Sequence, residues 1–200
     1  MALKLNLGCG ENHVNGYVNV DQHGTPDVTF NLEEFPWPWD DNSAEEVLMV
    51  HVLEHLGQTA ESYLKIIQEI YRICAPMAQI RIIVPHHRHE YFYSDPTHVR
   101  PITTQGMMLF CQRINRKWID EGSSNSPLGI YYNVDFEIVG AKLTPSEHFR
   151  RLHPNESGNV KLLMQENMLY NNMVEQVDMT MLAIKPAGSC ESPPTPQRTA

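Results

Sequence analysis

Leu3-Lys4-Leu5-Asn6-Leu7-Gly8-Cys9-Gly10 and, shortly after it, Tyr17-Val18-Asn19-Val20-Asp21 decide how the rest of the chain is read. The first is a short apolar run ending on a glycine, the pattern of a strand buried on both faces. The second alternates and ends on a carboxylate. Working outward, Asp27 to Phe30 and Glu46 to His51 supply a third and a fourth strand, and Gln79 to Val84, closed by Pro85, a fifth. From Thr59 to Cys74 the residues Tyr63, Ile66, Ile67, Ile70 and Tyr71 recur at helical spacing, and Pro76 stops that helix.

The second half is less regular. Thr104 to Ile114 reads as one helix carrying Met108, Leu109 and Phe110, and Gly122 to Gly129 as a loop. Phe136 to Leu143 and Val174 to Ile184 read as two long strands, antiparallel neighbours, with a short amphipathic helix between Ser157 and Asn172. Strands alternating with helices predict an α/β fold: a doubly wound, mostly parallel sheet covered on both faces, with a C-terminal antiparallel strand pair. One domain over residues 1–185 is expected, followed by a disordered tail at 186–200 that is rich in proline and poor in large apolar residues.

Composition narrows the function. The chain has 200 residues, 42% of them hydrophobic, and no apolar run near the ~20 residues that span a bilayer. Its formal charge of −9 repels a phosphate backbone, which disfavours DNA, RNA and anionic membranes as partners. Four cysteines, Cys9, Cys74, Cys111 and Cys190, lie far apart without C-x-x-C spacing, which suits a reducing cytoplasm rather than a disulfide framework.

In a sheet of this kind ligands bind beyond the carboxyl ends of the parallel strands. Gly8-Cys9-Gly10 follows the first strand and lets the backbone approach a ligand closely. Asp21 ends the second, where a carboxylate grips both ribose hydroxyls. Asn31 and Leu32 follow the third and offer an adenine partner and an apolar wall. His51 leaves the fourth, followed by Glu54 and His55. A nicotinamide dinucleotide site would want a third glycine where His13 stands, and an acid ~20 residues further on. Here Asp21 comes too early, and Glu11 adds negative charge where a pyrophosphate would lie. A nucleoside without phosphates that carries a cationic group fits better. Trp37 and Trp39, set between prolines, read as surface-packing residues.

Taken together, these segments resemble the class I methyltransferases that use S-adenosylmethionine, in their small type-11-like branch. Leu5 to Gly10, Gly16 to Asp21 and Trp39 to Val47 running into His51-Val52-Leu53-Glu54-His55 carry the resemblance, with Ser94-Asp95-Pro96-Thr97-His98-Val99-Arg100-Pro101 after the fifth strand. It covers roughly residues 3 to 105. The resemblance implies that Gly8, Cys9 and Gly10 line the methionine part of S-adenosylmethionine, Asp21 holds the ribose, and Asn31 and Leu32 hold the adenine. It places His51 beside the methyl group with Glu54 or His55 behind it, and makes His51 and His98 the candidate bases. Many members carry an acid where Asn6 stands, so Asn6 would meet the cofactor's amino group with a weaker grip. The usual helix between the first two strands is reduced to a loop, Glu11 to Gly16.

The branch includes enzymes that modify cell-surface sugars and secondary metabolites, so a small molecule or glycan is the expected acceptor, with a saccharide hydroxyl favoured and the acceptor atom (O, N or C) left open. Tyr91, Phe92 and Tyr93 read either as a lid or as loop anchors. His86, His87, His89 and His98, with Glu90 and Asp95, are dense enough to hold zinc or iron but lack helical ligand spacing, so no metal is expected. A methyltransferase-like domain without catalysis, binding the cofactor or a partner, is the alternative. The oligomeric state stays open.

Overall fold

Residues 2–190 are described by the computed structural model. Seven strands form one sheet: β1 (Leu3–Leu7), β2 (Val18–Asp21), β3 (Val28–Thr29), β4 (Ala44–Val50), β5 (Cys74–Pro85), β6 (Phe136–Pro145) and β7 (Val174–Ala183), in the order β3-β2-β1-β4-β5-β7-β6. β1 to β5 run parallel, while β7 pairs antiparallel with both β5 and β6. The order reverses at β1, so the crevice between the ends of β1 and β4 is the switch point where α/β sheets bind ligands. The expected mostly parallel sheet with its C-terminal antiparallel pair is the one observed, but among the described residues the expected helical cover on both of its faces is not.

Helix α1 (Ala60–Ile73) forms where its periodicity predicts. Thr59 caps it by accepting from the Ser62 N–H at 3.1 Å, a cap worth about 1 kcal/mol. Ile66, Ile67, Ile70 and Ile73 join Val47, Met49, Ile80 and Ile82 in the core, each aliphatic side chain worth roughly 1.5–3 kcal/mol of burial. The helix ends before Cys74, not at Pro76. β5 starts there and bulges before settling into register with β4, with Met77 at φ +64.

The opposite face of the sheet is thinly covered. No helix joins β1 to β2 among the described residues, and Lys4, Glu46, Arg81 and Asp178 face outward as ion pairs, with Arg81 half exposed. Cover on that face comes from the loop 11–16. Asn6 donates to Asn12 O and to Asn19 Oδ1, and Val14 N donates to Asn19 Oδ1. Two buried asparagines therefore hold a loop where the sheet would otherwise take a helix.

Several expectations in the second half are corrected. Thr104 to Ile114 is two helices, α2 being Glu90–Ser94, α3 Thr104–Met108 and α4 Gln112–Asp120. Between α3 and α4, Leu109 O accepts from Gly129 N and Asn115 Nδ2, and Phe110 O accepts from Phe136 N. Those carbonyls are taken by tertiary partners, so the helix cannot run through. The loop expected to Gly129 ends sooner, because α5 (Leu128–Tyr131) includes that glycine. Helix α6 (Glu147–Leu152), capped by Ser146, was not anticipated. α7 (Val160–Leu169) buries Leu163 beside Phe149, Met173 and Val174 and leaves Met164, Met168 and Leu169 exposed, so it is less amphipathic than expected.

Trp37 is not a surface residue: it is 2% exposed and its indole N–H donates to Leu32 O at 3.1 Å. Of the expected tail, residues 186–190 are described: Gly188 N donates to Asp135 Oδ2, and Arg116 of α4 donates to Gly188 O. The rest of the expected tail, 191–200, lies outside the described residues. Among the described residues no helix is long and apolar enough to cross a membrane.

Candidate functional site

Gly8 leaves β1 at φ +68, a conformation that costs most side chains energy, and its N–H donates to Val20 O at 2.7 Å. Cys9 N follows onto the same carbonyl at 3.0 Å. Asp21 closes the turn: Gly10 N donates to its Oδ2 and His23 N to its Oδ1, both at 2.8 Å. A carboxylate has about four acceptor positions, so after these two bonds the Asp21 oxygens keep capacity for ligand hydroxyls. Cys9 is buried with its thiol donating to Gly10 O, and burial pushes that thiol up, which favours a structural over a nucleophilic role.

Beyond the strand ends lie two adjoining hollows. The smaller, of about 180 Å³, is lined by Gly8, Asp21, Phe30, Asn31, Leu32 and His51, together with Gln22, Val52, His55 and Leu56. It brings together five of the residues picked out for the cofactor. Asn6, Cys9 and Gly10 stand behind it, their polar groups engaged in holding the turn and the loop. Asn31 Oδ1 accepts from Glu33 N at 3.0 Å, and its Nδ2 meets Glu34 only at 3.4 Å.

The second hollow, of about 650 Å³, shares His51 and His55 with the first and adds Tyr91, Ser94, Asp95, His98, Glu175 and Gln176. Sequence reasoning missed Glu175 and Gln176. They start β7, which reaches the carboxyl end of the sheet because it runs antiparallel to β5. A cavity of about 910 Å³ elsewhere, lined by Tyr71, Arg72 and Lys185, sits at the opposite edge, where β4 and β5 begin.

His51 stands at the junction of the two hollows. Its backbone takes φ +55, rare outside glycine although less so for histidine, and its N–H donates to Ile83 O at 2.8 Å. That conformation turns the ring, about half exposed, out of the sheet. Glu54 Oε1 lies 3.4 Å from His51 Nδ1, and this neighbouring carboxylate raises the histidine's pKa against the opposing effect of burial.

The segment 95–100 folds back onto the 3-10 turn Leu53–His55. Val99 N and Arg100 N both donate to Glu54 O, and Arg100 lies over the Tyr63 ring while donating to Gly57 O. This seats His98 edge-on to His55, with ring centroids 4.5 Å apart, and stacked on Phe92. Phe92 is therefore an anchor, whereas Tyr91 is exposed at the rim of the second hollow and Tyr93 on the surface.

The His86 and His87 rings lie 4.3 Å apart, but among the described residues the histidines of this loop do not converge with His98 into one ligand group. His86 Nδ1 accepts from Arg88 N and His89 Nδ1 from Tyr91 N, so both are spent on turns. Among the described residues, the group that could share an ion is Glu54, His55 and His98.

No protein-family model matches the chain, and neither does any curated protein. Solved structures do. A SAM dependent methyltransferase from Archaeoglobus fulgidus aligns over 90% of this chain and 86% of its own, at 18% identity and a TM-score of 0.51. The 1,6-didemethyltoxoflavin-N1-methyltransferase of Burkholderia thailandensis, solved with that substrate and S-adenosylhomocysteine, aligns over 92% and 72%, at 12% identity and 0.52. A SAM-dependent methyltransferase of Methanosarcina mazei aligns over 90% and 91%, at 12% identity and 0.51. The chain has the Rossmann-like methyltransferase fold. Between β1 and β2 of this sheet stands the asparagine-held loop rather than a helix.

Proposed function

We propose that the chain is an enzyme that uses S-adenosylmethionine to methylate a hydroxyl of a small molecule or saccharide. The observation carrying this reading is the chemistry of the smaller hollow: one carboxylate, two amides, two imidazoles and apolar walls, with neither lysine nor arginine lining it. Nor does a helix N-terminus follow β1 to receive a pyrophosphate. Both features suit a nucleoside carrying a cation better than a dinucleotide.

S-Adenosylmethionine supplies an activated methyl group on a sulfonium, so transfer is an in-line displacement that needs alignment more than acid–base strength. Alignment in a near-attack geometry is worth ~7–11 kcal/mol. Asp21 would hold the ribose hydroxyls, Asn31 the adenine edge, and the Leu32 side chain its face. Gly8, Cys9 and Gly10 would shape the methionine end, with Asn6 behind them. His51, at the junction, would take the proton that the acceptor hydroxyl sheds, and the Glu54 carboxylate favours its protonated form. His98 is the second base candidate, on the acceptor side. At a net charge of −9 the chain suits a neutral or cationic acceptor in the cytoplasm rather than nucleic acid or an anionic membrane.

Calorimetric titration with S-adenosylhomocysteine tests the reading. Micromolar binding that Asp21→Ala weakens at least tenfold, about 1.4 kcal/mol, is the expected result. A folded chain that does not bind would have kept the fold and lost the chemistry, and the proposal would fall.

A further inference from the structure

Glu54 is 1% exposed, and neither of its carboxylate oxygens has a hydrogen-bond partner. Its one ion-pair contact among the described residues is His51 Nδ1 at 3.4 Å, without hydrogen-bond alignment. A buried carboxylate left in this way costs several kcal/mol unless a cation compensates it. One ligand atom each from Glu54, His55 and His98 lies within 4.8 Å of the others.

The ring orientations at this point are fixed by their neighbours. His98 Nδ1 is 2.8 Å from Phe92 O, which can only accept, so Nδ1 carries the proton of the neutral ring and Nε2 keeps its lone pair. His55 Nδ1 is 2.8 Å from Thr97 Oγ1. Thr97 spends its own hydrogen on Asp95 Oδ1 at 2.6 Å, so it must accept from His55, whose Nε2 is likewise left with a lone pair. Two imidazoles, each donating through Nδ1 to a fixed acceptor, are arranged as metal-binding histidines are.

We propose that Glu54, His55 and His98 bind one divalent ion of the zinc type, with an open coordination position toward the larger hollow. One carboxylate and two imidazoles form the donor set of catalytic zinc sites, which keep a fourth position for substrate. Ligand atoms around zinc stand roughly 3.4 Å apart, so the three side chains would close around the ion. His55 lines both hollows and His98 the larger, so the open position faces the space assigned to the acceptor. An ion there would hold an acceptor hydroxyl oxygen and acidify it, and His51 alone would then serve as base, because a His98 that binds the ion through Nε2 has no lone pair left for a proton. That role rests on the methyltransferase reading, whereas the ion site itself does not.

The test uses tag-free protein, stripped with a chelator and then dialysed against Zn²⁺, with metal per chain read by elemental mass spectrometry. One ion per chain is expected, with at least tenfold weaker retention in Glu54→Gln and in His98→Gln. Thr97→Val, an exposed substitution that removes the His55 acceptor, should weaken retention without unfolding the chain, and His148→Gln should leave it unchanged. Co²⁺ in place of Zn²⁺ should give the strong visible bands of low-coordinate cobalt, lost in the same variants. Retention that is absent from folded wild type, or equal in wild type, His98→Gln and Thr97→Val, would overturn the site. S-Adenosylhomocysteine titrations on the same samples separate the two readings. Cofactor binding without ion retention removes only the ion, and ion retention without cofactor binding removes only the methyltransferase.

Discussion

Gly8 and Val52 meet so closely that a Cβ built on Gly8 would lie 2.4 Å from Val52 Cγ2 and 2.6 Å from Cγ1. Val52 follows β4 and Gly8 follows β1, so this contact sets the width of the crevice at the switch point. Gly8→Ala incurs both a left-handed backbone penalty at φ +68 and the overlap, together about 2–4 kcal/mol. Because the overlap is with the Val52 methyl groups, Val52→Ala should return part of that loss. Urea melts of the four proteins in a double-mutant cycle check this. A coupling energy near zero would mean that the crevice yields elsewhere.

Asp21 has two tasks that one substitution cannot separate. Its oxygens accept from Gly10 N and His23 N, and its charge faces the smaller hollow. Asp21→Asn keeps an oxygen for one of the two amides, while Asp21→Ala keeps neither. Stability should therefore fall in Asp21→Ala by about 1–3 kcal/mol and much less in Asp21→Asn. S-Adenosylhomocysteine affinity should fall in both, if ribose binding needs the carboxylate. Equal affinity of Asp21→Asn and wild type would assign Asp21 to the turn alone.

Much of this crevice could be read from local signals. The apolar run ending at Gly8, the carboxylate after β2 and the histidine after β4 each declare themselves within a few residues, as does the Thr59 cap. What could not be read depends on distant partners. His98 reaches His55 only because Val99 N and Arg100 N bond to the carbonyl of Glu54, a pairing with no sequence period. Glu175 and Gln176 reach the site through the antiparallel register of β7. The expected helix over 104–114 breaks because Leu109 and Phe110 give their carbonyls to residues beyond it. Trp37 reads as a surface residue because prolines flank it, yet the arginine that fixes its backbone lies thirty-five positions away.

That arginine supports a further prediction on stability. Arg72 forms a two-bond fork with Glu69, at 2.8 and 2.7 Å, and also donates to Trp39 O, Trp37 O and Asp41 Oδ1. Lysine offers a point charge in place of the planar fork and cannot reach these acceptors together. Arg72→Lys should lose about 1–3 kcal/mol in a urea melt although the charge is kept. Trp37 in turn donates to Leu32 O in the wall of the smaller hollow, so S-adenosylhomocysteine affinity should fall a few-fold. A variant as stable as wild type would show that the fork adds nothing beyond its charge.

His86 gives the chain a predictable acid sensitivity. Burial, followed by the positive charge of His87, Arg88 and His89, lowers its pKa from 6.5 to about 4. Its Nδ1 accepts from Arg88 N at 3.1 Å, a bond that only a ring unprotonated at Nδ1 can make. Above pH 6.5 the ring is neutral in both folded and unfolded chains and contributes no pH dependence. Between about 6.5 and 4 the unfolded chain takes up a proton that the folded chain refuses, so stability falls as the pH falls. The loss across that window is up to about 3 kcal/mol for this residue. His86→Asn, whose Oδ1 can accept from Arg88 N but cannot titrate, should flatten the wild-type slope by at least about 1 kcal/mol. Urea melts of both proteins at pH 7, 5.5 and 4.5 measure it, since carboxylates titrating in the same range contribute equally to the two. Parallel slopes would mean that the folded chain protonates His86 as readily as the unfolded one.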